Sequence, residues 1–189
     1  MSRKCLKYKK EDDLCVWLYK TYVNELFSYG TALGVTRMVL QDAIQDVFLH
    51  FMENGYLLNE VNNVKFYLFR SLKNRLISLT RRSKSFENLD EEFDYEFSLK
   101  VTGVDLMIEE EERQRLIKRV DELLACLTNR QREAIYLRYI QELSYEEIGE
   151  LLAMTPKASR KLVSRALIRI RENNFSLVLF LSILKNALF

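Results

Sequence analysis

Three helix starts stand close together in the C-terminal third of this 189-residue chain. Thr128-Asn-Arg-Gln131 and Ser144-Tyr-Glu-Glu147 each fit a capping box. In that motif the hydroxyl accepts from a backbone N–H three residues on, and the Gln or Glu side chain reaches back to the cap. Thr155-Pro156 is a third start, an N-cap hydroxyl followed by Pro at the first helical position. Starts at such intervals leave room only for short helices packed at steep angles. One Pro and five Gly in the whole chain are too few for the turns of an all-β fold, so the rest is expected to be helical as well.

Apolar spacing supports that reading upstream. Leu14, Trp17, Leu18, Tyr22, Leu26, Phe27 and Leu33 predict an amphipathic helix over 13–33. Thr36 is a plausible N-cap for a second helix to about Glu53, with Val39, Leu40, Ala43, Ile44, Val47, Phe48 and Phe51 as its stripe. After a polar loop over 56–63, a third helix covers 64–82. Leu68, Leu72, Leu76 and Leu79 trace its buried seam, and Arg70, Lys73, Arg75, Arg81 and Arg82 its basic face. Further helices are expected near 106–126, from Thr128 to about Tyr139, from Ser144 to Leu152 and from Thr155 to about Glu172.

Charge divides the chain. Residues 83–112 hold eleven acids and two bases, which marks a linker, although Phe86, Phe93, Tyr95 and Phe97 within it could dock. Residues 157–171 hold six bases and no acid, which marks a face for a polyanion. The fold class is therefore all-α: two small helical domains at 10–82 and 113–172, joined by an acidic linker at 83–112. An apolar segment at 173–189 is expected to be a helix with Leu177, Leu181, Leu184 and Leu188 on one face. It reads as a packing helix, on this chain or in an interface with a second chain, ahead of a site for an inhibitory partner or a membrane. It is too short to span a bilayer, and no signal peptide precedes the first helix, so a cytoplasmic protein without stable membrane insertion is expected.

Other chemistries lack their residues. His50 and the widely spaced Cys5, Cys15 and Cys126 offer no usual metal-ligand spacing. There is no Gly-rich phosphate loop, no HExxH and no GxSxG, and no acid–base or nucleophile–base pair stands out. Neither an enzyme nor a cofactor is expected.

The helix from Tyr145, the turn Ala153-Met154-Thr155 and the helix from Pro156 fit a helix-turn-helix. Its second helix carries Lys157, Arg160, Lys161, Arg165, Arg169 and Arg171. A structural alternative is an amphipathic surface helix with a solvated basic face; the turn length and the short preceding helix favour the DNA reading. Leu143-Ser-Tyr-Glu-Glu-Ile-Gly-Glu-Leu-Leu152 with Ser164-Arg-Ala166, preceded by Thr128-Asn-Arg-Gln-Arg-Glu133 and Leu137-Arg-Tyr139, resembles the C-terminal DNA-binding domain of sigma factors. Gln41-Asp-Ala-Ile-Gln-Asp-Val-Phe48 resembles that family's core-polymerase-binding helix. Tyr67-Leu-Phe-Arg70, Lys73-Asn-Arg-Leu-Ile77 and Arg81-Arg82 resemble its −10 helix. The order of the blocks is similar to the extracytoplasmic-function group of the sigma-70 family.

The resemblance implies an alternative sigma factor. Asp42, Gln45 and Asp46 would meet core RNA polymerase. Asn62, Asn63, Tyr67, Arg70, Lys73, Asn74, Arg75, Arg81 and Arg82 would meet the −10 element of promoter DNA, and Lys157, Arg160, Lys161, Ser164 and Arg165 the −35 element. An anti-sigma factor is a further candidate partner. Against the usual family pattern, Ser78 replaces Asp, Gly149 replaces Ala, and Ser159 replaces a buried Val, so Ser159 needs a carbonyl partner or a tilted helix. The competing function is a stand-alone helix-turn-helix regulator, which has no need of the first domain.

Overall fold

The computed structural model describes residues 3–53, 63–83, 97–99, 110–173, 176 and 180, with the side chains of 3–13, 81–83, 110–113, 116 and 117 excepted. The chain divides into two compact units, Met1–Asp94 and Tyr95–Phe189. All regular structure among the described residues is helical.

The first unit is a three-helix assembly of α1 (Arg3–Ala32), α2 (Arg37–Glu53) and α3 (Val64–Ser83). Helix α1 begins well before the residue 13 expected from periodicity. Its first turns, Arg-Lys-Cys-Leu-Lys-Tyr-Lys-Lys-Glu, are mostly strong helix formers but carry no apolar stripe for periodicity to detect. The helix stops at Gly34, whose φ of 75° is a left-handed C-cap conformation. There the Gly34 N–H donates to the Thr31 carbonyl (2.9 Å) and the Val35 N–H to the Gly30 carbonyl (3.3 Å), the paired bonds of a Schellman end.

Each helix contributes a stripe to the core. Leu26 and Tyr29 of α1, Leu40 and Ala43 of α2, and Leu68, Phe69 and Leu72 of α3 are completely buried. The Tyr29 and Phe69 rings meet at 5.1 Å, and those of Tyr19 and Phe48 at 5.1 Å edge-on. Several expectations fail here. Leu14 (37%) and Trp17 (56%), expected on the apolar stripe of α1, are exposed. Val39 lies on the exposed side of α2, and Leu79 is only half-buried. Lys73 is 6% exposed, not part of a solvent-facing basic stripe. It follows Phe69 by four residues and precedes Leu76 by three, so the helical period carries it onto the buried seam.

The second unit contains α4 (Glu110–Ala125), α5 (Asn129–Ile135), a π-helical turn (Tyr136–Ile140), α6 (Tyr145–Leu151) and α7 (Pro156–Glu172). The expected start of α4 near Leu106 lies outside the described residues, as does most of the linker. Both capping boxes form. The Thr128 hydroxyl accepts from the Gln131 N–H, and the Ser144 hydroxyl from the Glu147 N–H (3.2 Å), with each side chain bonding back. Thr155 caps α7 by accepting from the Ala158 N–H at 3.2 Å. The π turn was not expected; the single α-helix anticipated to Tyr139 widens there, and the Gln141 N–H reaches the Tyr136 carbonyl (3.1 Å).

Val120, Leu123, Ile135, Tyr136, Leu137, Ile148, Val163, Ala166 and Ile170 build this core. Phe97 from the linker joins it, fully buried with its ring 5.7 Å from that of Tyr136, and Leu99 is buried beside it in sequence. In the apolar C-terminal segment, Phe180 is fully buried in a helical turn, its N–H bonded to the Ser176 carbonyl; the rest of 177–189 lies outside the described residues.

Candidate nucleic-acid interface

Helices α6 and α7 form the helix-turn-helix, and the turn between them is tight. The Met154 N–H donates to the Gly149 carbonyl (2.8 Å) and the Ala153 N–H to the Glu150 carbonyl (3.4 Å). This is again a Schellman end, but the left-handed position, φ 51°, is occupied by Ala153. Gly149 permits the closure: a Cβ there would sit 2.7 Å from the Met154 carbonyl oxygen and 3.4 Å from the Pro156 nitrogen.

The inner face of α7 is held by Ser159, Val163, Ala166 and Ile170. Ser159 is fully buried and finds the partner its position demands. Its Oγ lies 2.7 Å from the Tyr145 carbonyl and 2.9 Å from the Pro156 carbonyl. A hydroxyl has one proton, so the two carbonyls share it, and the shorter bond joins α7 to the start of α6. Farther along, the Arg169 guanidinium donates to the Gln131 side-chain oxygen (3.0 Å), which also accepts from the Thr128 N–H (3.1 Å). Arg119 donates to the Asn173 carbonyl (2.9 Å) and so satisfies the end of α7. Arg169 is therefore part of the scaffold.

What remains outside is the expected set. Lys157, Arg160, Lys161, Ser164 and Arg165 are all exposed on the first three turns of α7. Lys157, Lys161 and Ser164 are spaced four and three apart, so they share one face, flanked by Arg160 and Arg165. Lys157, Arg160, Lys161 and Arg165 gather positive charge there, while the helix start keeps few donors to spare, since Pro156 has no N–H and those of Ala158 and Ser159 bond to Thr155. Ile168, half-exposed, continues the face.

Sequence reasoning did not anticipate the ring at the base of this face. The Arg138 guanidinium lies 4.7 Å and the Arg160 guanidinium 5.0 Å from the centroid of Tyr145. The neighbouring Tyr139 phenol is pushed above its ordinary pKa, by burial first and by Tyr145 next, against the Arg138 charge that lowers it. It therefore stays protonated at neutral pH.

In the first unit the expected sites separate. Asp42 and Gln45 are exposed on α2. Asp46 is half-buried and paired with Arg75, whose Nε and Nη2 stand 2.9 and 2.6 Å from one carboxylate oxygen. Thus one residue expected to meet polymerase and one expected to meet DNA are partners across α2 and α3. Asn63 serves as the N-cap of α3, its side-chain oxygen accepting from the Phe66 N–H at 3.2 Å, a role the sequence reading missed. Asn63, Tyr67, Arg70 and Asn74 follow at spacings of four, three and four along one side of α3. Arg70 and Asn74 are exposed, while Tyr67 is half-buried against Phe51, ring centroids 5.9 Å apart. Lys73 is buried and does not join them. Arg81 and Arg82 stand in the last turn of α3, their side chains outside the described residues, as is Asn62.

A second missed feature flanks Asp42 and Gln45. Met38 (74% exposed), Leu49 (49%) and Met52 (47%) continue their line at alternating spacings of four and three. That alternation was legible, but Met38 and Met52 carry no charge to draw notice. No described helix is long and apolar enough to cross a membrane, and no group of three or more His, Cys, Asp or Glu among the described residues could hold a metal ion.

Residues 117–170 match the family model for sigma-70, region 4. Among solved structures, the chain is similar to CnrH in complex with the cytosolic domain of CnrY, with a TM-score of 0.50 and 19% identity over 86% of this chain and 88% of that one. At that identity the likeness speaks for the fold. No curated protein matches the chain.

Proposed function

We propose that this chain, whose residues 117–170 match the family model for sigma-70, region 4, is an extracytoplasmic-function sigma factor of the sigma-70 family that binds core RNA polymerase and directs it to promoters by reading two DNA elements. The observation that carries the reading is the exposed basic end of α7 on a helix-turn-helix. Lys157, Arg160, Lys161, Ser164 and Arg165 would enter the major groove at the −35 element. Arginine and lysine suit guanine edges, and the remaining cations suit phosphates.

On the first unit, Tyr67, Arg70 and Asn74 would meet the −10 element, with Arg81 and Arg82 beyond them. An aromatic ring among cations suits unpaired DNA, where bases stack and phosphates need neutralising. Lys73 is withdrawn from that role by burial, and Arg75 by its bond to Asp46. The α2 line of Met38, Asp42, Gln45, Leu49 and Met52 would dock on polymerase. Its four-and-three spacing is that of a coiled-coil seam, apolar at both ends and acidic in the middle, and fits a helical partner with basic residues at the centre.

CnrH was captured with the cytosolic domain of CnrY. An inhibitory protein partner for this chain is proposed on that likeness. The acidic linker would thread between the two DNA-reading units.

Core binding tests the α2 reading. Asp42→Lys together with Leu49→Glu should abolish retention on purified core polymerase while leaving the melting temperature of the free chain within a few degrees, since both residues are exposed. Undiminished core binding would move the docking surface elsewhere. Operator binding by the free chain with no affinity for core would instead establish a stand-alone regulator.

A further inference from the structure

Arg160 stands in the first turns of α7, where a side chain of a groove-entering helix reaches DNA. It is exposed, yet its guanidinium lies 5.0 Å from the centroid of the Tyr145 ring. Tyr145 is itself fixed on two sides. The Arg138 guanidinium also lies over its ring, at 4.7 Å, and is anchored by donating to the Leu143 carbonyl at 2.8 Å. The Tyr145 carbonyl accepts from the buried Ser159 hydroxyl at 2.7 Å. Ring and backbone of one residue therefore engage consecutive residues of α7. The helix is held through Ser159 and the side chain through Arg160.

We propose that Tyr145 is a positioning residue for DNA recognition, holding the Arg160 guanidinium pre-ordered so that base-pair discrimination by Arg160 depends on the Tyr145 ring. The inference rests on the reading of α7 as the upstream DNA-binding helix. Its physical basis is the flexibility of arginine. Ordering such a side chain on binding weakens affinity by roughly ten- to thirtyfold. A cation over an aromatic face at an exposed site recovers about two- to fivefold of that before DNA arrives. Arg138, fixed to the backbone at Leu143, keeps the ring from following the arginine it holds.

The coupling also separates two roles on α7. Lys157 and Lys161 have no ring beneath them among the contacts described, so their side chains are ordered by DNA alone. Arg160 is the cation whose geometry the protein sets in advance. The ring, and not the phenol hydroxyl, does this, so phenylalanine should substitute for tyrosine and leucine should not.

The test is a double-mutant cycle in holoenzyme assembled from core polymerase and the full chain. Transcription is measured from promoters that differ by single base pairs in the upstream element. Tyr145→Leu should lower discrimination two- to fivefold at the same base pairs as Arg160→Ala, and should have no further effect in the Arg160→Ala background. Tyr145→Phe should restore the wild-type pattern. If Tyr145→Leu does not fold, Tyr145→His, which keeps a flat ring with a weaker negative face, replaces it with the same expectation. Losses that multiply in the double variant, or that fall at different base pairs, would overturn the inference while leaving DNA reading intact. A wild-type holoenzyme indifferent to every upstream base pair would overturn the DNA reading, and the role of Tyr145 with it.

Discussion

At the scale of single residues, the helix-turn-helix is closed by small and polar groups. Gly149 lets the turn pass within van der Waals contact, and Ser159 turns a buried hydroxyl into a cross-helix bond. Ala153 is the exception to ease. It occupies a left-handed conformation (φ 51°) that costs an L-residue about 1–2 kcal/mol, where glycine pays nothing in sterics. Ala153→Gly should therefore stabilise the second unit by about 0.5–1 kcal/mol, after the greater unfolded-state freedom of glycine is subtracted. A shift of the denaturation midpoint to higher urea at unchanged slope would confirm it, and a shift to lower urea would mean the turn is not strained. Among the cations, Lys161→Ala should weaken recognition of one or two upstream base pairs by roughly 1–3 kcal/mol if the side chain reads a base. A uniform loss over all sequences would assign it to phosphate.

At the scale of elements, the caps decide where helices begin. Thr128, Ser144 and Thr155 each accept the bond their position in the sequence predicted. Ser144→Ala removes one such bond from the seven-residue α6 and should cost about 1 kcal/mol, or roughly 4–8 °C in melting temperature for a unit of this size. A change below one degree would show that tertiary packing alone sets the start of α6. These starts were legible because capping is local chemistry written in three or four adjacent residues. The buried stripe of α2, Val39 excepted, was legible because burial follows the helical period. What escaped depends on contacts distant in sequence. Lys73 is an ordinary basic residue until the register of α3 turns it inward. Asp46 and Arg75 lie 29 residues apart, and nothing near either announces the pair. Phe97 sits in an acidic stretch whose composition suggests mobility, yet Tyr136 gives it a docking site. The π turn at Tyr136–Ile140 carries no Gly or Pro to mark it, although it holds Arg138, whose guanidinium lies against the Tyr145 ring.

At the scale of the whole molecule, two helical units present different surfaces. The second presents cations on one helix end; the first presents an acidic and apolar seam on α2 and an aromatic and basic side on α3. Cations that neutralise phosphates release counterions, so binding should weaken as salt rises. Lys157→Ala should reduce the slope of log affinity against log salt by about one if it meets a phosphate. An unchanged slope would place Lys157 away from the backbone. The apolar segment beyond α7 contributes at least Phe180 to the second unit, so part of it serves as structure. The central claim, that these surfaces together give polymerase its promoter specificity, is tested most directly by run-off transcription with purified core polymerase on a genomic fragment library, with and without the chain. The account predicts discrete transcripts that require the chain and share two spaced upstream elements. Absence of chain-dependent transcripts, together with absence of binding to core, would contradict it.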